Sequence, residues 1–203
     1  DTHFLALEAM GAEHVFADRI TFRTKGLVGA DIFLDEPSVT GTENAIMAAV
    51  AAKGHTVLHN AASEPHVQDL CRMLVSMGAQ IGGIGTSTLE VHGVERRSPT
   101  EHTTVPDRLV AGTWAVAAVM TRGDITIHRA RPDHLDIALD KLVSAGATVD
   151  LVGDGVRVRC ADRPRAVDVV TLPYPGFPTD LQPQFIALNS IARGAASLAS
   201  RGW

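Results

Sequence analysis

The chain has 203 residues, of which 45% are hydrophobic and 20% charged, and its formal net charge is -5. This apolar content suffices for hydrophobic cores, so we predict a globular protein of one large or two small domains. The acidic balance argues against a duplex nucleic-acid binder, and no apolar run approaches the roughly 20 residues that a membrane span needs.

Two short patterns recur along the chain at a nearly constant interval. A helical segment closed by Gly-Ala occurs three times, with its glycines at Gly11, Gly78 and Gly146, which are 67 and 68 residues apart. An alanine-rich helical segment closed by a basic residue and glycine also occurs three times. Its glycines are Gly54, Gly123 and Gly194, which are 69 and 71 residues apart. Glycine tolerates the left-handed conformation that ends a helix, so both patterns predict helix ends.

Strands follow these helices in a fixed order. After the first two basic-Gly signals we predict strands at 56–58 and 125–127. Short strand pairs follow the Gly-Ala signals, as at 149–151 and 156–158 around the turn Gly153-Asp154-Gly155. One repeat therefore has the order strand, helix, strand, helix and two strands, which predicts an α/β class with parallel pairing inside each repeat.

The ends of the chain do not coincide with the ends of a repeat. Asp1 opens on the helix in the second half of one copy, and residues 195–203 lack the alternation and β-branched residues of the strand expected there. We therefore expect no strand in this tail and interpret the sequence as a piece cut at both ends. The polar stretch 97–105 resembles a linker, so we predict domains 1–105 and 106–203.

Five segments together resemble the enolpyruvyl transferase family, in the branch that uses UDP-N-acetylglucosamine. They are LDEPSVTGTENAIMAA (34–49), NAASEPHVQDLCRML (60–74), IGTSTLEVHGVERR (84–97), PDRLVAGT (106–113) and PYPGFPTDLQPQF (173–185). The resemblance implies an inside-out α/β barrel of two similar domains, each built from three repeats with the helices inside. It also implies that 1–105 ends the middle domain, which contacts the UDP-sugar, and that 106–203 belongs to the other domain.

The activity implied by this resemblance is transfer of enolpyruvyl from phosphoenolpyruvate to the 3-hydroxyl of UDP-N-acetylglucosamine, with release of phosphate. Such an enzyme is cytoplasmic, uses no cofactor and supplies peptidoglycan precursors. The family's reactive cysteine, Lys-Asn pair and phosphate-binding arginine have no match in these residues, so we expect no turnover from the chain alone. Two alternatives stay open: a shikimate-pathway enolpyruvyl transferase, and a non-catalytic sugar-nucleotide-binding remnant.

Asp180 is the candidate catalytic residue. It ends the segment PYPGFPTD, in which three prolines and Gly176 forbid a regular helix and favour an exposed turn. By resemblance, this carboxylate contacts substrate and takes the proton from the attacking sugar hydroxyl. The alternative is that Asp180 caps the helical segment 181–194.

A second candidate site precedes a helix predicted to start near Glu43. Small residues before a helix present backbone N–H groups to an anion. By resemblance, the UDP moiety contacts this loop and the start of the chain. The predicted contact residues are Asp1, Thr2, Glu36, Ser38, Val39 and Thr40. The family often has glycine where this chain has Thr40, and helix capping is the alternative role of Asp1 and Ser38.

Other chemistry-bearing residues do not form a predicted site. His55 and His59 would lie about 13 Å apart along a strand, which is too far for a shared metal ion. Cys71 lies on the apolar face of a predicted helix, and Cys160 is far from it in sequence, so both indicate reduced thiols. The glycines of 82–85 lead into a strand at 88–92, which argues against a dinucleotide loop. We therefore predict no metal site.

Overall fold

A computed structural model describes residues 1–15 and 19–200. The chain divides into two compact units, Asp1–Val105 and Pro106–Trp203. Each unit has its own cluster of buried hydrophobic side chains.

The first unit contains three helices and six strands within its described residues. They are α1 (Thr2–Ala9), β1 (Glu13–Val15), β2 (Thr21–Arg23), β3 (Asp31–Phe33), α2 (Val39–Ala51), β4 (His55–His59), α3 (Pro65–Ser76), β5 (Gln80–Gly82) and β6 (Thr88–His92). Strands β1 and β2 form an antiparallel pair, and the other four form a sheet in the order β3-β4-β6-β5.

The second unit repeats the same order of elements, starting at a different point. Its elements are α4 (Arg108–Thr121), β7 (Asp124–Ile127), α5 (Asp136–Ala145), β8 (Thr148–Val152), β9 (Gly155–Arg159), β10 (Val169–Thr171), α6 (Gln182–Ile191) and β11 (Leu198–Ser200). Single 3₁₀ turns at Pro132–His134 and Thr179–Leu181 precede α5 and α6. Strands β7, β9 and β8 form one sheet, and β10 pairs with β11.

Parallel pairing is confined to the strands that enclose a helix. Strand β3 runs parallel to β4 across α2, and β10 runs parallel to β11 across α6. The remaining pairs are antiparallel, because β5–β6 and β8–β9 are hairpins and β4 and β7 pair with the returning strand of the hairpin. The prediction of parallel pairing was therefore right for the strand pairs on either side of α2 and α6, and wrong for the hairpin strands.

The tail prediction was wrong, because Leu198–Ser200 forms β11. Val169 pairs with Leu198 and Thr171 with Ser200, while the Ser197 N–H donates to Asp168 Oδ1 at 2.7 Å. A strand of low intrinsic propensity forms here because the edge of β10 supplies backbone partners. The last three residues of the predicted tail, 201–203, lie outside the described residues.

The core of each unit lies between its helices and one face of its sheet. In β4, Thr56 and Leu58 are buried, while His55 is exposed on the other face. In the second unit, Phe177 and Phe185 are fully buried and meet edge to face, with ring centroids 4.9 Å apart. Such burial contributes about 2 kcal/mol per large apolar side chain, so each core stabilises its own unit.

The linker-like stretch 97–105 contains no helix or strand, yet it lies against α3. The Val105 N–H donates to Asp69 Oδ2 at 3.2 Å, and His102 Nε2 lies 3.1 Å from the same oxygen. The Ser98 N–H donates to the Met77 carbonyl at 2.8 Å. These contacts fix the end of the first unit along one helix.

Candidate functional site

The predicted residues of the first unit gather where α1 and α2 begin. Asp1 caps α1, since its Oδ1 accepts from the His3 N–H at 2.9 Å, and Ser38 caps α2 by accepting from the Gly41 N–H at 3.2 Å. A Cβ on Gly41 would lie 2.8 Å from Thr2 Cγ2, so glycine is what allows the two helix starts to touch. Two helix N-termini therefore meet at one place, and α2 there has N–H groups without a partner inside the helix.

Helix α2 begins at Val39, not near Glu43 as the sequence suggested. Val39 and Thr40 therefore belong to the first turn, where their N–H groups have no partner within the helix. The helix starts earlier because Ser38 supplies the cap and small Gly41 packs against α1. The capping roles predicted as alternatives for Asp1 and Ser38 are thus confirmed, and they leave the N–H groups of Val39 and Thr40 available.

Side chains also join the two helix starts. Thr2 Oγ1 donates to Glu36 Oε1 at 3.3 Å, although the residues are 34 positions apart. Asn44 Nδ2 donates to His3 Nδ1 at 2.6 Å, and His3 Nε2 lies 3.3 Å from Thr40 Oγ1. His3 thus joins the start of α1 to the first two turns of α2 through two side chains.

Sequence reasoning missed His3 and Asn44. His3 directly follows the predicted contact residue Thr2, and Asn44 lies one helical turn after Thr40. Their spacing from these predicted residues could therefore have identified them from the sequence. Their mutual contact was not, since 41 residues separate them and only the packing of α1 on α2 joins them.

The charge around these helix starts is negative. Asp1 and Glu36 are exposed, and segments 1–9 and 35–44 contain no lysine or arginine. The backbone N–H groups favour an anion, whereas the carboxylates accept hydrogen bonds from N–H or O–H donors. The arrangement therefore suits a ligand that carries both anionic oxygens and polar hydrogens.

Asp180 lies in the 3₁₀ turn Thr179–Leu181 of the second unit and is exposed. The turn before it is held by backbone hydrogen bonds from Leu172 N to Phe177 O at 3.0 Å and from Gly176 N to Pro173 O at 2.7 Å. Phe177, with 1% of its surface exposed, anchors this turn in the core.

Capping of α6 by Asp180 was the wrong alternative. Helix α6 begins at Gln182, and neither the 3₁₀ turn nor the helix has a side-chain cap. The turn of 3₁₀ helix moves the start of α6 past Asp180, and its carboxylate makes no capping hydrogen bond to the helix. Such a carboxylate is free to accept a proton from a ligand.

The two cysteines are buried, and the histidines of β4 make pairwise contacts with neighbouring side chains. Burial raises the pKa of the Cys71 thiol to about 11, and Cys160 is 5% exposed. His55 stacks on His92 with ring centroids 4.3 Å apart, and His59 Nε2 lies 3.1 Å from Asp31 Oδ1. Among residues 1–15 and 19–200, no group of three or more histidines, cysteines or carboxylates could hold a metal ion.

A cavity of about 490 Å³ in the second unit contains none of the predicted site residues. Arg122, Asp124, Arg159 and Asp162 contribute charged groups to its lining. Two of these charges are already neutralised, because Asp124 pairs with Arg157 at 2.6 Å and Arg159 with Asp150 at 2.8 Å. The cavity therefore presents little net charge to a ligand.

No helix in the described part of the chain is both long and apolar enough to cross a bilayer.

Comparison with known proteins places these observations in a family. The model of the family described as EPSP synthase (3-phosphoshikimate 1-carboxyvinyltransferase) matches residues 1–201. The chain belongs to this family. The predicted enolpyruvyl transferase fold, with its repeated strands and helices, is accordingly confirmed, as is the resemblance to enolpyruvyl transferases.

Curated relatives within the EPSP synthase family are identical to this chain at about half of the aligned positions. A protein of Nocardia farcinica is 52% identical over 199 residues, and one of Mycobacterium tuberculosis is 51% identical over 199 residues. Both are named UDP-N-acetylglucosamine 1-carboxyvinyltransferase. The matches cover 98% of this chain and 47% and 48% of the two relatives, so the chain spans about half their length.

Solved structures show the same fold at low sequence identity. The enolpyruvyl transferase NikO from Streptomyces tendae superposes with a TM-score of 0.84 at 22% identity, covering 99% of this chain and 52% of that one. An EPSP synthase from Acinetobacter baumannii superposes with a TM-score of 0.66 at 17% identity, covering 97% of this chain and 47% of that one. At these identities the likeness concerns the fold alone.

Proposed function

We propose that the protein to which these residues belong is a cytoplasmic UDP-N-acetylglucosamine 1-carboxyvinyltransferase that supplies peptidoglycan precursors. The observation that carries the proposal is the 51–52% identity to relatives of that name over nearly the whole chain. It is supported by Asp180, which is exposed and caps no helix, and by the two abutting helix N-termini, where the Val39 and Thr40 N–H groups have no partner within α2.

The two units have different roles in this proposal. The first unit, 1–105, contacts the sugar nucleotide through Asp1, Thr2, Glu36, Ser38, Val39 and Thr40. Its free first-turn N–H groups favour phosphate oxygens, and its carboxylates accept hydrogen bonds from the N–H and O–H groups of the nucleotide. The second unit, 106–203, contributes Asp180.

Asp180 acts as the general base in the proposed reaction. The 3-hydroxyl oxygen of UDP-N-acetylglucosamine attacks C2 of phosphoenolpyruvate while Asp180 takes the hydroxyl proton, and an acid protonates the C3 methylene. Loss of a proton from C3 and of phosphate from C2 then restores the double bond and leaves the enolpyruvyl ether. No metal ion or cofactor enters this sequence of steps.

Ligand binding by the 203-residue chain distinguishes the proposed substrate from its nearest rival. We expect UDP-N-acetylglucosamine to raise the melting temperature of the chain and shikimate 3-phosphate to leave it unchanged, because ligands stabilise the state that binds them. Replacing Thr40 by Ala should reduce the shift, whereas the exposed Asp140 of α5 serves as a matched surface control (Asp140→Asn). A shift with shikimate 3-phosphate alone would favour the shikimate-pathway enzyme.

Catalysis by Asp180 is tested in a chimera that joins residues 1–200 to the flanking segments of the Nocardia farcinica relative. We expect Asp180→Asn to lower phosphate release by about 10²–10⁴-fold, the usual contribution of a general base, with Asp140→Asn at the level of the parent chimera. Normal turnover in the Asp180→Asn chimera would refute the assignment. Binding without any turnover in the parent chimera would instead indicate a sugar-nucleotide-binding protein.

A further inference from the structure

Arg108 occupies an unusual place for a cation. It is 9% exposed and is the only lysine or arginine that is buried among residues 1–15 and 19–200. It is also the first residue of α4, where Asp107 caps the helix by accepting from Leu109 N at 2.8 Å. Burial disfavours a charge, and the positive end of the helix dipole disfavours a cation. Specific contacts must therefore offset the free-energy cost of a buried cation at this helix N-terminus.

One such contact is the ring of Tyr174. The guanidinium carbon of Arg108 lies 5.3 Å from the ring centroid, within the range of a cation–π interaction. Tyr174 belongs to the turn between β10 and the 3₁₀ turn that carries Asp180. Arg108 therefore joins the start of α4 to this turn.

Helix α4 touches the same stretch of chain a second time, one helical turn further on. A Cβ on Gly112 would lie 2.8 Å from Leu181 Cδ1, so Leu181 sits directly on the backbone of α4. Arg108 and Gly112 are four residues apart and share a helix face. The two contacts thus hold the turn on both sides of Asp180, at Tyr174 before it and at Leu181 after it.

The outer side of the turn is partly exposed. Phe177 is buried in the core, whereas Pro173 and Pro175 are exposed. The 3₁₀ turn has no side-chain cap. The guanidinium over the Tyr174 ring is therefore one restraint on the outer half of the turn.

We propose that Arg108 is a positioning residue for Asp180: its guanidinium, stacked on Tyr174, fixes the turn 172–180 so that the carboxylate is presented in one orientation. This inference rests on the proposed function, in which Asp180 is the general base. Small misplacements of a catalytic group cost large factors in rate, which gives such a restraint a direct effect on turnover.

The first test measures hydrogen exchange in the 203-residue chain at the amides of Leu172, Gly176 and Leu181. We expect Arg108→Met and Tyr174→Leu each to accelerate exchange at these amides about tenfold, because both remove the stacking. Tyr174→Phe keeps the ring and should stay much closer to wild type than Tyr174→Leu. Arg131→Met removes an exposed arginine paired with Asp133 and serves as a matched control. The amides of β8 and β9 report whether each variant is folded.

The second test measures kinetics in the chimera described above. Arg108→Met and Tyr174→Leu should lower kcat by about tenfold to a hundredfold with a change in KM for UDP-N-acetylglucosamine below about twofold, because the base and not the binding site is displaced. Tyr174→Phe should lose much less kcat than Tyr174→Leu, because the ring that faces Arg108 is kept.

The two proposals fail in different ways. Wild-type exchange and kcat in both Arg108→Met and Tyr174→Leu would overturn the positioning role, even with Asp180→Asn inactive. Should Arg108→Met fail to fold, the comparison of Tyr174→Leu with Tyr174→Phe decides the same question. Full turnover in Asp180→Asn would instead refute the function of Asp180 itself.

Discussion

Burial controls the reactivity of Cys71. The thiol lies in the core on α3 with 1% of the residue exposed, and desolvation raises its pKa to about 11 despite the opposing charge of Arg72. Only the thiolate is nucleophilic, and at pH 8 about one thiol in a thousand is ionised at such a pKa. Cys71 is therefore a packing residue.

We expect Cys71 to resist alkylation in the folded chain. In a Cys160→Ala variant, which leaves one thiol, iodoacetamide at pH 8 should label the native chain at least about a hundredfold more slowly than the urea-unfolded chain. Because the pKa lies well above this range, the native rate should rise about tenfold per pH unit between pH 8 and 10. Equal rates in the folded and unfolded chains would contradict the burial of this thiol.

Small residues decide how the elements of a repeat join. Gly93 follows β6 at the place where this strand passes the end of α2, and its N–H donates to the Gly54 carbonyl at 2.9 Å. A Cβ there would lie 1.7 Å from the Ala52 carbonyl oxygen, which is a backbone atom and cannot turn away. The close approach of strand and helix therefore requires glycine.

Gly93→Ala is expected to lower the free energy of unfolding by about 3 kcal/mol or more, at the severe end of single substitutions, because the backbone must shift. Urea denaturation monitored by circular dichroism measures the change. Gly82→Ala is the matched control, since Gly82 lies in the neighbouring β5 and a Cβ there has its nearest neighbour at 3.8 Å. A similar small loss in both variants would show that the junction tolerates a side chain.

Each unit of the whole molecule carries a separate core. Leu58 belongs to the buried cluster of the first unit and Phe185 to that of the second, and both are 0% exposed. The local stability of each unit should therefore depend on its own cluster.

We expect Leu58→Ala and Phe185→Ala to act on different parts of the chain. Each should cost about 3 kcal/mol or more, since each removes most of a fully buried side chain. Hydrogen exchange should accelerate in β4 and β6 for Leu58→Ala and in β8 and β9 for Phe185→Ala, with the other unit unchanged. Equal acceleration in both units for either variant would show that they unfold as one.

The sequence by itself determined the features that depend on neighbouring residues. The period of about 68 residues, the hairpins and the glycine-closed helix ends follow from alternation, helical periodicity and the left-handed conformation of residues such as Gly146. The caps Asp1 and Ser38 were visible for the same reason, since a cap acts within three positions.

Only the tertiary structure decided what depends on distant partners. Strand β11 forms because β10 lies beside it, and the bond of Thr2 to Glu36 exists because α1 packs on α2. Asp180 is exposed and caps no helix, because the turn before it is anchored by Phe177 and α6 starts beyond it. Local pattern cannot encode such contacts, since their energy comes from groups tens of residues away that meet only when the core is packed.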